Sequence, residues 1–460
     1  MIDRFIAGRH AAGPIMALMM LCSSSSIAQT TGAEFIGPIQ PDTALTLDRA
    51  VYLALERNFE IRLARSRVTE AGGRLQHNRR LVPSNPELEF SIGDRDPQGP
   101  GASTTDLGIR LAQEIWIGGQ GGLQRRAARS RLEGARAAVG FLETTIAARA
   151  RSSFLDLLVA QSAVDTAVRA VAVTTDIMET AQARLDSGEA TRMEVNTAGI
   201  GLGRARSELA AAHAQRNLAR TRLAELMAVE LPDPTELEGE FETQAISLPP
   251  RTRFLNKVAQ QRQDLAAAAA EVAAAQQELK LSRRQLIPNL TVFGFYEQEE
   301  DAEIIGAGLS LPLPVLHRYS GERTEAGARL EQAGIERDAL LLQIRLEVDQ
   351  AVADYRAARK RIEAVTEAVL RSAEQNVELT YAAFRAGQVG VAAIASSQET
   401  LLQARRDFLD AQRAMVRAAG DLERATGGLL VLRGSKPKAS IEVDATESSS
   451  SNTLNPLENP

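Results

Sequence analysis

Cysteine, histidine and aromatic residues are scarce in this chain. Cys22 is the single cysteine, four histidines occur in 460 residues, and aromatic residues make up 4% of the sequence. A single cysteine excludes an internal disulfide framework, and the isolated His77, His213 and His317 do not form a metal-ligand cluster. The sequence also lacks a nucleophile elbow, a phosphate-binding loop and a dinucleotide-binding motif. We therefore expect no enzymatic activity, no cofactor and no bound metal.

Long apolar runs and an excess of basic charge are also absent. Beyond the N-terminus, no apolar run approaches the about 20 residues that a membrane-spanning helix needs. The net charge is −6 and no basic domain is present, so nucleic acid is not an expected partner. If the chain crosses a membrane, it must do so with β-strands.

Residues 1–28 are typical of an export signal. Arg4 and Arg9 make its start basic, and an apolar run extends from Ala11 to Leu21. Ser26-Ile27-Ala28 then has the small-x-small pattern of a cleavage site. The sequence therefore predicts export from the cytoplasm and removal of this segment.

Cys22 permits an alternative in which the chain is acylated and anchored to a membrane leaflet. A lipidation site favours small residues before the cysteine, whereas Met20 and Leu21 are bulky. We therefore favour simple cleavage. It makes Gln29 the first residue and leaves the mature chain without cysteine.

Proline positions divide the chain, because a proline inside a helix costs about 3 kcal/mol. Helices are predicted in the Pro-free stretches rich in Ala, Leu, Arg and Glu, at about 45–80, 119–228, 251–286 and 317–428. The predicted division begins with a signal peptide (1–28), a linker (29–44) and a first repeat (45–231). An inter-repeat linker (232–250), a second repeat (251–428) and a disordered tail (429–460) follow.

The two halves of the chain repeat each other. The matching segments recur in the same order: Leu81-Val82-Pro83 with Leu286-Ile287-Pro288, Arg131-Leu132-Glu133 with Arg329-Leu330-Glu331, and Gly188 with Gly387. Glycine just past a helix end is a common C-cap, so helix-turn-helix tips are predicted at 186–190 and 386–390. Each repeat is then a helix, a strand pair, a long helix, a tip and a further helix. Repeated units of this kind pack against copies in the same chain or in others.

The long helix of each repeat, at about 68 residues, should span roughly 100 Å. In the second repeat, apolar residues alternate spacings of three and four: Leu341, Ile344, Val348, Ala351, Tyr355, Ala358, Ile362, Val365 and Val369. This 3.5-residue period predicts the seam of a left-handed coiled coil. The first repeat carries a looser version at Val164, Val168, Val171, Thr175 and Met178.

Alternation of apolar and polar residues predicts two strand pairs, at 85–113 and 289–312. Leu88, Phe90 and Ile92, for example, alternate with polar neighbours. Four strands cannot close a barrel, and an open edge in lipid leaves backbone groups unpaired at several kcal/mol each. Several copies of the chain must therefore pool their strands.

The repeated order of helix, proline, strand, loop, strand and helix resembles the TolC-like outer-membrane efflux family, over residues 45–428. The run Gln113-Glu114-Ile115-Trp116-Ile117-Gly118-Gly119-Gln120 after the second strand and the glycine-centred tips carry this resemblance. Within the run, Glu114-Ile115 followed by Gly118-Gly119-Gln120 is most similar to the branch that serves heavy-metal cation exporters.

The resemblance implies a fold that is mainly α with a small β part. A duplicated long-helix α-barrel would continue a trimeric, twelve-stranded outer-membrane β-barrel to which each chain contributes four strands. The homotrimer would lie in outer-membrane lipid and extend into the periplasm. Its implied partners are a periplasmic adaptor (membrane fusion) protein and an inner-membrane resistance-nodulation-division transporter.

Candidate constriction residues follow from the resemblance, because in this family the tips narrow the duct, often with acids just beyond the tip glycine. Glu194 fits this position, Asp186 and Glu189 flank the same tip, and the matching place in the second repeat is Ala393. Like charges crowded at a constriction raise each other's pKa and attract cations. A solvated helix surface is the alternative for all three acids.

The same tips, residues 184–195 and 383–394, are the candidate adaptor contacts. Arg184, Gly188, Arg385 and Gly387 are the residues expected there. A turn that needs the left-handed conformation of glycine explains the two glycines equally well.

A polar loop is expected to join each strand pair. We assign the second loop to the extracellular mouth, and its acids are Glu297, Glu299, Glu300, Asp301 and Glu303. These acids would favour cations at the exit of the duct. The alternative is that they are ordinary solvated charges of a surface loop.

The function predicted from the sequence is a passive outer-membrane exit duct of a tripartite efflux pump, with divalent heavy-metal cations as one cargo. Two alternatives stay open. One is the outer-membrane duct of a type I protein secretion system, and the other is a soluble periplasmic coiled-coil scaffold whose hairpins never enter a membrane.

Overall fold

The computed structural model describes residues 44–95, 104–239, 248–299, 302–315, 318–365 and 367–430. The predicted signal peptide with Cys22, the tail beyond Leu430, and the acids Glu300 and Asp301 lie outside these ranges.

Helices form most of the described chain. They are α1 (Leu47–Arg57), α2 (Phe59–His77), α3 (Gln120–Asp186), α4 (Arg192–Met227), α5 (Arg251–Gln261), α6 (Gln263–Arg284), α7 (Ser320–Ala364), α8 (Glu367–Arg385) and α9 (Val391–Ala425). The strands are β1 (Leu45–Thr46), β2 (Glu87–Arg95), β3 (Thr104–Ile115), β4 (Leu237–Glu238), β5 (Leu290–Glu299) and β6 (Ala302–Ser310). The chain is therefore mainly α with a small β part, as predicted.

The first helix of each repeat is broken, although the sequence pattern predicts it as continuous. Asn58 separates α1 from α2, where its side-chain oxygen accepts from the Glu60 amide at 2.9 Å and its amide nitrogen donates to the Leu226 carbonyl at 3.0 Å. Arg262 separates α5 from α6 and donates to the Ala425 carbonyl at 3.0 Å. Each break thus places a side chain that satisfies a carbonyl at the end of another helix.

The second long helix is also shorter than predicted. It ends at Ala364 after 45 residues, and Val365 leaves the helix with φ −98° and ψ 68°. Helix α8 then begins at Glu367. In the first repeat, by contrast, α3 is continuous over 67 residues, about 100 Å.

The predicted seam of the second repeat is confirmed in its central part. Five of its members are buried on α7: Ile344, Val348, Ala351, Tyr355 and Ala358. The extension to Val369 is wrong, because that residue is 48% exposed.

The predicted seam of the first repeat is confirmed at Val164, which is buried, and is wrong at Val168. Val168 is 49% exposed, and a regular row of buried, mostly small residues runs along this part of α3: Ala160, Ala163, Ala167, Ala170, Thr174, Ile177 and Ala181. These positions keep the alternating three and four spacing. The error arose because large apolar residues guided the prediction, whereas closely packed helices bury alanine.

Two large apolar cores lie among the helices, each formed mainly by one repeat, although Val416 of α9 also belongs to the first. The first includes Ile146, Phe154 and Leu223 from α3 and α4, and the second is centred on Tyr355 and Leu422 from α7 and α9. Among the described residues, α3 contains the 18-residue window apolar enough to cross a membrane, with mean hydropathy 1.3, and 44% of that window is buried. Its length and its packing on α4, α6 and α9 fit a core helix.

The four longer strands form one antiparallel sheet in the order β2-β3-β5-β6. Its centre joins the two repeats, because Ile109 of β3 is paired with Tyr296 of β5. Within the described residues, β2 pairs with β3 alone and β6 with β5 alone, so the sheet is open at both sides. The helices next to it follow the same order, with α2 on α3, α3 on α6 and α6 on α7.

Candidate functional site: helix tips and strand sheet

The first tip is a tight glycine-capped turn. Helix α3 ends at Asp186. Gly188 follows with φ +79°, a left-handed conformation that residues other than glycine rarely adopt. The Glu189 amide donates to the Arg184 carbonyl at 2.8 Å, which closes the end of α3. The glycine is thus required by the turn itself.

Glu194 has a structural role at the start of α4 that the sequence analysis missed. The Thr191 hydroxyl accepts from the Glu194 amide at 3.4 Å, and the Glu194 carboxylate accepts from the Thr191 amide at 3.3 Å. This reciprocal pair is a capping box. Its signal, threonine followed three residues later by glutamate, was readable in the sequence.

The second tip has the same turn without the side-chain cap. Gly387 has φ +75°, and the Gln388 amide donates to the Ala383 carbonyl at 2.9 Å. Gly390 precedes α9 and has no side chain with which to cap it. Its Cα faces Glu194, whose carboxylate would lie 3.7 Å from a Cβ at Gly390. The acid of one tip therefore lies beside the backbone of the other.

An apolar cluster joins the two tips. Its buried members come from α3, α4, α8 and α9, and they are Ile177, Ala181, Val195, Ala198, Phe384, Val391 and Ile394. The four helices therefore end as one packed unit.

A polar link crosses the same contact. The Tyr381 hydroxyl of α8 donates to the Asp176 carboxylate of α3. This hydrogen bond and the burial of the ring raise the pKa of Tyr381 above its usual range. The two residues lie 205 positions apart, and no local pattern in the sequence marks them.

The two predicted tip arginines lie on aromatic rings of this unit. The Arg184 guanidinium lies 4.7 Å from the centre of the Phe384 ring, and the Arg385 guanidinium lies 5.1 Å from that of Tyr381. Cation–π contacts of this kind hold a side chain in place without neutralising it. Both guanidinium groups are therefore held against rings of the tip unit.

The other two predicted constriction acids lie on the surface of the first tip. Asp186 is exposed and accepts from the Gln182 amide at 2.8 Å within its own helix, and Glu189 is exposed beyond the glycine. Glu194, in contrast, is half-buried. At this tip, Glu194 is bonded to Thr191 in the capping box, whereas Asp186 and Glu189 are exposed to solvent.

The sheet has one apolar face. Paired residues place Leu88 beside Leu111, and Phe90 beside Ile109. Ile305 of β6 belongs to this face, and Phe90, Ile305 and their neighbours are strongly exposed in the single chain. An exposed apolar sheet face of this kind is typical of strands that contact lipid.

The opposite face is polar and mostly acidic. Its acids are Glu87, Glu89, Asp106, Glu114, Glu297 and Glu299, and Arg110 is a base among them. The Arg110 guanidinium lies 4.0 Å from the centre of the Phe293 ring. Two rings on this face, Phe293 and Phe295, cover Gly308 and Gly306, where a Cβ would overlap them.

The acidic loop prediction needs correction. Glu297 and Glu299 belong to β5, and Glu303 belongs to β6, so these three acids are strand residues. Glu297 and Glu299 lie on the polar face, whereas Glu303 is paired with Gln298 on the other face. The alternation in β5 is interrupted by two phenylalanines on the polar face, which weakened the strand signal.

The junction between β3 and α3 is a fixed turn. Gly119 has φ +72°, and the buried Gln120 accepts from the Gly118 amide at 2.9 Å. The Gln120 side chain also donates to the Ile287 carbonyl at 2.8 Å. This residue of the predicted family run therefore ties the two repeats together where strands become helices.

Metal-ligand clusters of three or more His, Cys, Asp or Glu residues are absent from the part of the chain that the structure describes.

Comparison with known proteins agrees with this architecture. A sequence profile of the outer membrane efflux protein family matches residues 50–229 and 254–428. The cobalt-zinc-cadmium resistance protein CzcC of Cupriavidus metallidurans is 26% identical over 417 residues, which are 90% of this chain and 98% of that protein.

Solved structures share the fold. The Campylobacter jejuni CmeC outer membrane channel has a TM-score of 0.73 at 16% identity, with 83% of this chain and 85% of that chain covered. The open state of the Neisseria gonorrhoeae MtrE outer membrane channel has a TM-score of 0.70 at 17% identity, with 84% and 89% covered. The predicted fold class, a helical barrel with a strand contribution to a β-barrel, is confirmed.

These relatives are channels and efflux proteins, not enzymes. The profile covers well over half of the chain, and the apolar sheet face gives the protein a surface for lipid. The chain belongs to the outer membrane efflux protein family, as an outer-membrane channel that extends into the periplasm.

Proposed function

We propose that three copies of this chain form the passive exit duct of a tripartite efflux pump. The observation that carries the proposal is the four-stranded sheet, with one apolar face and two open sides. An open strand edge is not stable in lipid, because its backbone groups have no partner there. Three copies, with four strands each, would close a barrel of twelve strands without an edge.

The path through the duct follows the polar face of the sheet. Acids outnumber bases on that face, and a lumen lined by one sign of charge concentrates ions of the opposite sign. The relative CzcC is named for resistance to cobalt, zinc and cadmium. Divalent metal cations are therefore the cargo that we propose for this chain.

The packed tips form the periplasmic end of the duct and its gate. The Tyr381–Asp176 link and the apolar cluster around Phe384 hold the four helix ends together. Glu194, repeated in three copies, would contribute a ring of acids at this end, with Asp186 and Glu189 nearby. Opening requires these contacts to loosen in each copy.

The partners that we propose are a periplasmic adaptor and, through it, an inner-membrane resistance-nodulation-division transporter. Arg184 and Arg385 are the candidate adaptor contacts, because both are basic side chains held in place on rings at the tips. Gly188 and Gly387 set the turns that present them. Surface cations of this kind suit an acidic segment on the partner.

Purification in detergent, with the mass measured by light scattering, tests the oligomer, and planar bilayers test conduction. We expect a trimeric particle that conducts and prefers cations over anions. A monomeric particle without conductance would contradict the duct.

Deletion of the gene tests the cargo. We expect lower tolerance to divalent cobalt, zinc or cadmium and unchanged tolerance to organic drugs, with complementation by the wild-type gene as the control. Loss of a secreted protein without any change in tolerance would instead favour the protein-secretion duct.

A further inference from the structure

Helix α7 carries a second seam, largely apolar, that no residue of the described chain covers. Its members alternate spacings of four and three and are all exposed: Ala328, Gln332, Ile335, Ala339, Leu342 and Leu346. We name this set the α7 seam. Gln332 is its one polar member, and Ile335 is 62% exposed. A 3.5-residue period of this kind predicts a packed helix on that side, because each residue needs a hole in a partner helix.

A second exposed surface lies at the other side of the chain. Tyr52 of α1 and Phe59 and Leu63 of α2 are large, apolar and more than half exposed, and Ser66 continues the row with a small polar side chain. We name these four residues the α1–α2 face. Phe59, at 65%, is among the most exposed aromatic side chains of the helices.

The two surfaces lie on the same sides as the open strands. The helix order α2-α3-α6-α7 matches the strand order β2-β3-β5-β6, so α2 is beside the open side of β2 and α7 beside that of β6. Any copy that continues the sheet at β6 must therefore also bring its α2 to α7. The two surfaces differ, so the contact is heterologous and repeats around a ring.

The internal duplication supplies a template for this contact. Inside the chain, α3 of the first repeat packs on α6 of the second. The equivalent contact between copies joins α7 of the second repeat to α2 of the first repeat of the next copy. Two equivalent helix contacts therefore alternate around the ring: α3 on α6 within a chain, and α7 on α2 between neighbouring chains.

Two close approaches set the register of the template. A Cβ at Gly134 would lie 3.2 Å from Ala270 Cβ, and a Cβ at Gly140 would lie 3.5 Å from Gln263 Cγ. Gln263 is the first residue of α6 after its break, as Phe59 is the first residue of α2. Counted from these two helix starts, at an offset of 204, Ala270 corresponds to Ser66.

The positions on α7 follow from the repeat offset. The offset is 198 between Arg131 and Arg329 and 199 between Gly188 and Gly387. Gly140 thus corresponds to position 338 or 339, and Gly134 to position 332 or 333. Of these four positions, Gln332, at offset 198 from Gly134, and Ala339, at offset 199 from Gly140, are the members of the α7 seam.

We propose that the α7 seam of one copy packs against the α1–α2 face of the next copy, with Gln332 against Ser66 and Ala339 against Phe59. This register brings the polar member of the seam to the small polar residue of the face, where the Gln332 amide and the Ser66 hydroxyl can share a hydrogen bond. The small Ala339 leaves a hole for the Phe59 ring, as Gly140 leaves one for the Gln263 side chain. The inference rests on the proposed ring of three copies and adds the residues and register of its helical contact.

Disulfide trapping tests the register. We choose Gln332→Cys with Ser66→Cys in one chain, because both residues are exposed and polar, so that neither change removes an apolar side chain from the contact. The Cβ separation at the template position is 3.2 Å, near the about 3.8 Å of a disulfide. Mild oxidation of the detergent-solubilised protein should convert most of it to covalent trimers on a denaturing gel. Mixing the two single variants should give covalent dimers and nothing larger.

The matched control is Glu331→Cys with Ser66→Cys, which moves the thiol one residue around the same helix. It should give at least tenfold less cross-linked product. The single variants alone should give none, which also reports any reaction of Cys22. A stronger link from the control, or a dimer from Gln332→Cys alone, would overturn the proposed register.

The outcome separates this inference from the proposed function. A trimer that conducts normally but does not cross-link would contradict the proposed α7 contact and leave the proposed duct function unaffected. A monomeric particle would contradict both the α7 contact and the duct function.

Discussion

The Tyr381–Asp176 link offers the sharpest test of gating at the tips. Substitution Tyr381→Phe keeps the ring in the tip cluster and removes the one hydroxyl that reaches the Asp176 carboxylate. A hydrogen bond to a charged group contributes about 1.5–3 kcal/mol, and the half-buried position of Tyr381 favours the lower end. A loss of about 1.4 kcal/mol shifts an equilibrium tenfold. We therefore expect the open probability per copy to rise about tenfold in planar bilayers at neutral pH.

The same link predicts a response to alkaline pH. The pKa of Tyr381 is raised above its ordinary value of 10.0, first by the hydrogen bond to Asp176 and then by burial. A raised pKa means that the link stabilises the closed tip fully below about pH 10 and is lost as the pH rises through the folded-state value. Wild-type conductance should therefore increase above pH 10, and the Tyr381→Phe variant should lack this increase.

The control is Asp354→Asn, which removes an exposed acid of α7 that lies away from the tips and bonds within its own helix. It should leave the open probability and the alkaline response near those of the wild type. If Tyr381→Phe matches the wild type both at neutral pH and at pH 11, the link does not hold the gate, and the reasoning from the tip contacts is wrong.

Three further predictions concern single sites. Glu194→Gln should keep the capping box and lower the preference for cations in bilayers. Glu194→Ala should also destabilise the tip by about 1 kcal/mol, which should be seen as faster proteolysis there. An equal cation preference in the wild type and both variants would show that Glu194 does not line the duct. Arg262→Ala should lower the thermal unfolding temperature far more than Arg251→Ala, because Arg262 is buried against two carboxylates and a helix end while Arg251 forms an exposed pair; similar losses would contradict this. Gly306→Ala should reduce the yield of assembled trimer, since its Cβ overlaps the Phe295 ring, and Phe295→Ala in the same chain should restore it; a double variant as poor as the single one would show another cause.

The sequence predicted those features that local pattern encodes. The tip glycines were readable because a left-handed residue at a helix end favours glycine, and both have a positive φ in the structure, at +79° and +75°. The central seam of α7, from Ile344 to Ala358, was readable because its period is regular and its residues are large. The capping box at Thr191 was equally readable and was overlooked.

Other features were beyond such patterns. The breaks at Asn58 and Arg262 depend on carbonyls of helices more than 160 residues away, at Leu226 and Ala425. The Glu297 prediction failed because the strand continues through a run of acids, and it does so because β6 supplies backbone partners as far as Ala302.

What the sequence alone determined is the plan of the molecule: two repeats, long helices between prolines, strand pairs too few to close, and glycine turns at the far end. These follow from backbone preferences and side-chain periods, which act over a few residues. The tertiary structure decided which side of α3 is buried, that Tyr381 meets Asp176, and that the seam of α7 from Ala328 to Leu346 is exposed in the single chain. Those outcomes depend on which helices become neighbours, and only close packing between distant segments selects them.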